Sequence, residues 1–185
     1  MIGFYFGGLA ISVIALYILL KLNRLTLYKN RVTQGWEGVD VLLNKRYELF
    51  DELVRLMKHR VDLDPELERE FARKRVAASH AFTVGEQQKT EHELLLSVNK
   101  VLTILSKDAG FSRDSGLPKL LKEISGTGLS IRNASHYYNG TVQEYNRQLR
   151  KSSKNLLVRL AAFREINSFN PEPLHIPEQE GVGVW

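Results

Sequence analysis

Five histidines, His59, His80, His92, His136 and His175, are the side chains best suited to metal or acid–base chemistry, and none stands at a spacing that such chemistry needs. A helical zinc site wants two imidazoles four residues apart with a carboxylate beside them, as in HExxH. "HEL" at His92 lacks the second histidine. "GTGLSI" at 126–131 stops short of the last glycine of a dinucleotide-binding turn and follows no strand pattern. No serine lies in GxSxG. There is no cysteine, and so neither a thiolate nucleophile nor a disulfide. The residues therefore point to no catalytic site, no metal and no cofactor, and to a non-enzymatic function.

Hydrogen-bonding and charged residues carry the remaining signal. The stretch "YYNGTVQEYN" at 137–146 repeats Tyr-Asn seven residues apart, at Tyr138-Asn139 and Tyr145-Asn146. On a helix, seven residues are two turns, so both rings share one seam. A phenol can bury its ring and still donate its O–H. Basic residues cluster at Arg69, Arg73, Lys74 and Arg75, and again at Arg147, Arg150, Lys151, Lys154, Arg159 and Arg164. The net charge of +5 favours anionic partners. No aromatic-interleaved reading surface accompanies these clusters, so nucleic acid is not expected.

The elements that position these residues are all helical. The first 22 residues carry no charge before Lys21, and about 20 apolar residues cross a bilayer core. Without a basic leader or a small-residue cleavage site, this is an uncleaved anchor rather than a signal peptide. Gly3 with Gly7, and Gly8 with Ser12, would permit close helix packing in the membrane. Val32, Trp36, Val39, Leu43, Tyr47, Phe50, Val54, Met57 and Val61 step by three and four, which marks an amphipathic helix continuous with the anchor as one rod. Asp64-Pro65-Glu66 starts a second helix carrying Leu67, Phe71, Ala78 and Phe82. Thr90 and Glu93 form a capping box before Leu94, Val98, Val101 and Leu105. A long last helix follows the seam Leu117, Leu121, Ile124, Gly128, Ile131, Ser135, Tyr138, Val142, Tyr145 and Leu149. Gly126 and Gly128 inside it mark a close approach or a kink. The fold class is all-α: a single transmembrane helix at 1–23, an antiparallel, up-and-down four-helix bundle at 24–168, and a Pro-rich extended tail at 169–185 that straps the bundle or stays mobile.

Counting along antiparallel helices sets Tyr138 beside Val39 and Tyr145 beside Val32. Trp36, Asp40, Tyr138, Asn139 and Tyr145 would then build a polar layer, with tyrosine hydroxyls donating to the Asp40 carboxylate. The alternative is a pair of tyrosines wetting their hydroxyls at the bundle edge. The same count returns Arg147, Arg150, Lys151, Lys154 and Arg159, with "NLLVRLAAF" at 155–163, to anionic lipid headgroups. Lys21, Arg24, Lys29 and Arg31 follow the span and no positive residue precedes it. The N-terminus is thus expected outside and the bundle in the cytoplasm of a bacterial inner membrane.

"YKNRVTQGWEGVDVLLNKRYELFDELV" resembles the opening signature of the LemA family, and "IRNASHYYNGTVQEYNRQL" with "NLLVRLAAF" resembles its closing one, over roughly residues 25–165. The resemblance implies an anchored long-helix bundle with no known catalysis. It also implies a link to membrane-protein quality control beside the HtpX metalloprotease or, in one branch, to the shaping of magnetosome membranes. The function expected is a membrane-anchored scaffold or adaptor, a homo-oligomer on anionic lipid with an HtpX-like protease as partner. The alternatives are a membrane-shaping protein that self-assembles and an enzyme whose site is not recognised.

Overall fold

The computed structural model describes residues 2–58, 64–106, 116–152, 163–174 and 176. These form four helices, α1 (Ile2–Lys58), α2 (Pro65–Ser79), α3 (Val84–Ser106) and α4 (Gly116–Ser152), and a non-helical segment over 163–174. No strand occurs among the described residues. The chain divides into two compact units. The first is Met1–Glu37 with Tyr137–Ser168, and the second is Gly38–His136 with Phe169–Trp185.

α1 runs for 57 residues without a break. No proline interrupts it, and Gly35 and Gly38 are absorbed. Its N-terminal part is long and apolar enough to cross a membrane, with none of that window buried in the protein. Leu25 and Val32 begin the buried stripe of the first unit, and Val39, Leu43, Tyr47, Phe50, Val54 and Met57 continue it in the second. The three–four spacing read from the sequence is the buried face. Val61 lies outside the described residues.

Asp64 caps α2, its carboxylate accepting from Glu66 N at 2.9 Å, and Pro65 takes the first turn where its missing N–H costs nothing. Leu67, Phe71 and Ala78 are buried. Phe82 is not part of this helix: the chain leaves it at His80, and the Phe82 ring is 95 % exposed. The start of α3 is also corrected. Thr83 and Glu86, not Thr90 and Glu93, close the capping box. Glu86 N donates to Thr83 Oγ1 (3.2 Å), and the Glu86 carboxylate accepts from Phe82 N and Thr83 N (3.1 Å each). Thr90 sits a turn and a half inside and returns its hydroxyl to Glu86 O at 3.0 Å. Both quartets satisfy the pattern; the earlier one wins because Gln87 and Glu91 are buried and must already be helical.

In the second unit the helices alternate in direction. Asp51 of α1 meets Arg75 of α2, and Lys58 meets Glu68. Glu70 of α2 meets Ser97 and Lys100 of α3, while Ala78 meets Gln87. Lys45 of α1 pairs with Glu123 of α4 at 3.2 Å. Their seams enclose Phe50, Leu53, Met57, Leu94, Val98, Leu105, Leu117 and Ile124, all buried. On α4 the seam passes through Thr127 rather than Gly128. A Cβ added at Gly126, Gly128 or Gly140 would meet nothing within 4 Å among the described residues, so these glycines serve no close approach there. The close approach lies instead at Gly35 in the first unit, where a Cβ would stand 3.3 Å from Tyr138 Cα and from Thr141 Oγ1.

Candidate functional site

The Tyr-Asn repeat holds a strap. In the first unit Tyr138 and Tyr145 bury their rings on one face of α4. Their hydroxyls donate to main-chain carbonyls of the non-helical segment: Tyr138 to Asn167 O (2.8 Å) and Tyr145 to Arg164 O (3.0 Å). Between them, Asn146 Nδ2 donates to Ile166 O (2.8 Å) and Asn146 Oδ1 accepts from Ile166 N (3.0 Å). Arg150 and Glu165 add an ion pair at 2.9 Å. The edge of Trp36 meets the Tyr138 ring, with centroids 5.3 Å apart and planes at 61°. Burial pushes the Tyr138 phenol up to about 12 and raises that of Tyr145, so both remain neutral donors throughout the physiological range.

This corrects the expected polar layer. Trp36, Tyr138 and Tyr145 do share the first unit, and Asn139 is half-buried on the same helix. The hydroxyls, however, go to strap carbonyls and not to Asp40. That carboxylate is exposed and accepts from Asn44 Nδ2 at 3.3 Å. The α1 residues against Tyr138 are Gly35 and Trp36, about a turn from the counted position. Counting two antiparallel helices has no place for a third, extended segment, and a neutral carbonyl is a cheaper buried acceptor than a carboxylate. The strap also begins earlier than residue 169. Residues 163–168 are already non-helical, and the tail's Phe169 is buried.

Of the expected lipid-facing cations, Arg147 pairs with Glu144, Arg150 pairs with Glu165, and Lys151 is exposed at the end of α4. Lys154, Arg159 and nearly all of "NLLVRLAAF" lie outside the described residues.

The second unit contains a buried polar group that sequence reasoning missed. Arg46 and Glu91 form an ion pair in which both side chains are nearly fully buried. Tyr47 O–H also donates to Glu91, and Gln87 Nε2 donates to the Tyr47 hydroxyl (2.7 Å) and to Ala78 O (3.1 Å). Arg75 stands over the Tyr47 ring, 4.8 Å from its centroid. Its Nε is close enough to Asp51 for an ion pair (3.3 Å) but not aligned as a hydrogen bond. Burial pushes the Glu91 carboxyl up, against the pull of Arg46 and Tyr47. Burial, with the Glu91 charge beside it, raises the Tyr47 phenol. The signal was present as Gln87 and Glu91, four apart and in phase with Leu94 and Val98, two polar residues on a core stripe.

Further along the tail, His92 Nδ1 lies 2.6 Å from Glu172, and Asn170 N donates to Gln88 Oε1 at 3.4 Å, both on α3. Residues 171–174 and α4 around Gly128 enclose a cleft of about 90 Å³, with Arg46 and Arg132 among its walls. Among the described residues no group of His, Asp or Glu could hold a metal ion.

These features define a helical protein with one candidate membrane span and an extended strap fastened by its main chain. The model of the LemA family matches residues 35–179, most of the chain, and the chain belongs to that family. The match opens at Gly35, where an added Cβ would stand 3.3 Å from α4, and takes in the whole described strap. No curated protein matches the chain significantly.

Proposed function

We propose that this protein is a non-enzymatic, single-pass membrane scaffold or adaptor that presents its helical region to a membrane partner on the cytoplasmic side. The observation that carries this reading is the continuity of α1, whose apolar end and buried stripe belong to one unbroken helix. A helix without a break links whatever holds its apolar end to the residues packed on its other end. Membership of the family, through the resemblance described above, makes a membrane protease of the HtpX kind the first partner to test. The test is affinity purification of the tagged full chain from native membranes, with the size of the complex recorded. A defined membrane protein in stoichiometric yield supports the adaptor. Large homo-oligomers lacking such a protein would favour membrane shaping by self-assembly.

That second reading draws on the exposed Lys151 at the end of α4 and the basic residues around it. Each cation near an anionic surface is worth about 1 kcal/mol. A soluble form lacking residues 1–24 should then bind anionic vesicles, less so as salt rises, and neutral vesicles poorly. Orientation is tested by protease added to intact spheroplasts, which should leave the helical region uncut.

A further inference from the structure

We propose that the cleft between α4 and the tail binds a carboxylate carried on a small apolar body, supplied either as a free short-chain acid or as the C-terminal carboxylate of a partner polypeptide. The cleft lies wholly within the second unit, and its chemistry holds whether or not the scaffold reading does.

Three observations carry it. First, the cleft has donors that lack acceptors. Arg46 of α1 stands in its wall with a nearly fully buried side chain, and it gives one terminal guanidinium nitrogen to Glu91. Its Nε is buried and has no hydrogen-bond partner. A buried N–H left unmade is uncommon in a folded protein and calls for an occupant. Arg132 of α4 stands in the same wall, exposed, with no hydrogen bond or ion pair among the described residues. One guanidinium short of an acceptor and another without a counter-charge, in one small cleft, suit an anion.

Second, α4 leaves room for it. Gly128 belongs to the same wall, and a Cβ added there would meet nothing within 4 Å among the described residues. A glycine inside a helix costs stability relative to alanine, and this one serves no helix contact in return. What it leaves open is the cleft. The volume of about 90 Å³ has room for several water-sized groups, and so for a carboxylate head whose body extends outward.

Third, much of the remaining wall is apolar, and the tail side of it is fixed. Ile124 and Leu129 of α4 line the cleft with Pro171, Pro173, Leu174 and Ile176 of the tail. Phe169 is fully buried, Asn170 N donates to Gln88, and Glu172 is tied to His92, so the tail is anchored on α3 as it enters the cleft. The two prolines fix φ in that stretch. The site is thus formed before a ligand arrives, which lowers the cost of binding. Glu172 is the one acid among the described lining residues, and it limits the charge that fits. A phosphate dianion is repelled by that carboxylate, whereas a monoanion on an apolar body uses both kinds of wall.

The test follows the arginine Nε–H signals of the full chain in detergent micelles. The probes are butyrate, its neutral amide butyramide, inorganic phosphate, and the dipeptide acetyl-Ala-Leu with its C-terminus free or amidated. Butyrate or the free-acid dipeptide should shift the Arg46 and Arg132 signals saturably, and the amides should not. A dipeptide that binds more tightly than butyrate assigns the site to a partner's chain end; equal or tighter butyrate assigns it to a free acid. Arg132→Gln should weaken binding roughly tenfold or more, as loss of a charged donor does. Gly128→Val should weaken it similarly by filling the cleft, while the variant melts no lower than the parent, because valine is no worse in a helix than glycine. That pairing separates the site from the fold. No saturable shift with either acid would mean that the cleft holds only water, and would overturn the proposal. Amides that bind as well as acids, or phosphate that binds as well as butyrate, would overturn the ligand class. Binding unchanged in both Arg132→Gln and Gly128→Val would place the ligand elsewhere and overturn the site.

Discussion

Asn146 faces Ile166 with both ends of its side-chain amide, donating to the carbonyl at 2.8 Å and accepting from the N–H at 3.0 Å. One side chain thus replaces the strand neighbour that an isolated extended segment lacks, and it supplies both bonds at one residue. The phenols of Tyr138 and Tyr145 bracket this pair along the strap, holding Asn167 and Arg164 on either side of Ile166.

Asn146→Ala should therefore loosen the strap while sparing the helices. Two hydrogen bonds are lost, at about 0.5–1.5 kcal/mol each, because the half-buried Ile166 amide recovers part of its bonding from water. Hydrogen exchange at the Ile166 amide should accelerate, with helical circular dichroism unchanged. Tyr145→Phe, which removes a single bond, should act in the same direction with about half the effect. An Ile166 amide as protected in Asn146→Ala as in the parent would remove Asn146 from this role.

Glycines on the helices divide into two kinds. Gly35→Ala places a methyl 3.3 Å from the Tyr138 backbone, which cannot turn aside as a side-chain tip can. It should force the two helices apart and cost about 1–3 kcal/mol. Gly126→Ala and Gly140→Ala meet open space and should each stabilise by up to about 1 kcal/mol from helix propensity alone. Thermal melts of the three variants in the same detergent check the sign. Stabilisation by Gly35→Ala would mean that the approach at Tyr138 is looser than 3.3 Å.

The buried stripe of α1 was legible because burial repeats with the helix, and Val32, Val39, Leu43, Phe50 and Met57 declare it without any partner in view. The cap at Asp64-Pro65 was legible for the same local reason. The strap was not. Arg164 to Asn167 are held through backbone atoms, which every sequence possesses, so nothing in their side chains announces the binding. Asn146 stood in plain sight as half of a repeat, but its partner lies 20 residues on, in a segment with no periodicity to align. Nothing in the sequence around Gly35 marks it as a contact, because the closeness that requires it belongs to a different helix.

Acid should weaken the contact between α2 and α3. Glu70 bonds Lys74 on its own helix and Lys100 on the next, and these hold its carboxyl down at about 2 from an ordinary 4.5. A depressed acid stabilises the fold above its unfolded value and loses that contribution as pH falls through the folded one. The window is thus about pH 4.5 down to 2. Glu70→Gln should be less stable than the parent at pH 7, and the gap should close as pH drops through that window. A gap independent of pH would show that the carboxylate charge contributes nothing there.

The Arg46–Glu91 pair should behave as a unit. Both charges are out of water, so each is tolerable only because the other is present. Glu91→Ala leaves a guanidinium buried without a counter-charge and the Tyr47 hydroxyl without an acceptor, and should cost about 3–5 kcal/mol. Arg46→Leu strands the carboxylate instead and should cost a similar amount, partly relieved because burial already pushes Glu91 toward its neutral form. Removing both charges together, as Arg46→Leu with Glu91→Leu, abolishes the desolvation of each. The remaining penalty is the hydroxyl of Tyr47, which keeps Gln87 as a donor, so the double variant should lose only about 1–3 kcal/mol. The double variant is thus expected to be more stable than either single one, an ordering read directly from midpoints of chemical unfolding. Additive losses would mean that Arg46 and Glu91 are stabilised by separate partners, and that their contact follows from the packing of α1 on α3 without contributing to it.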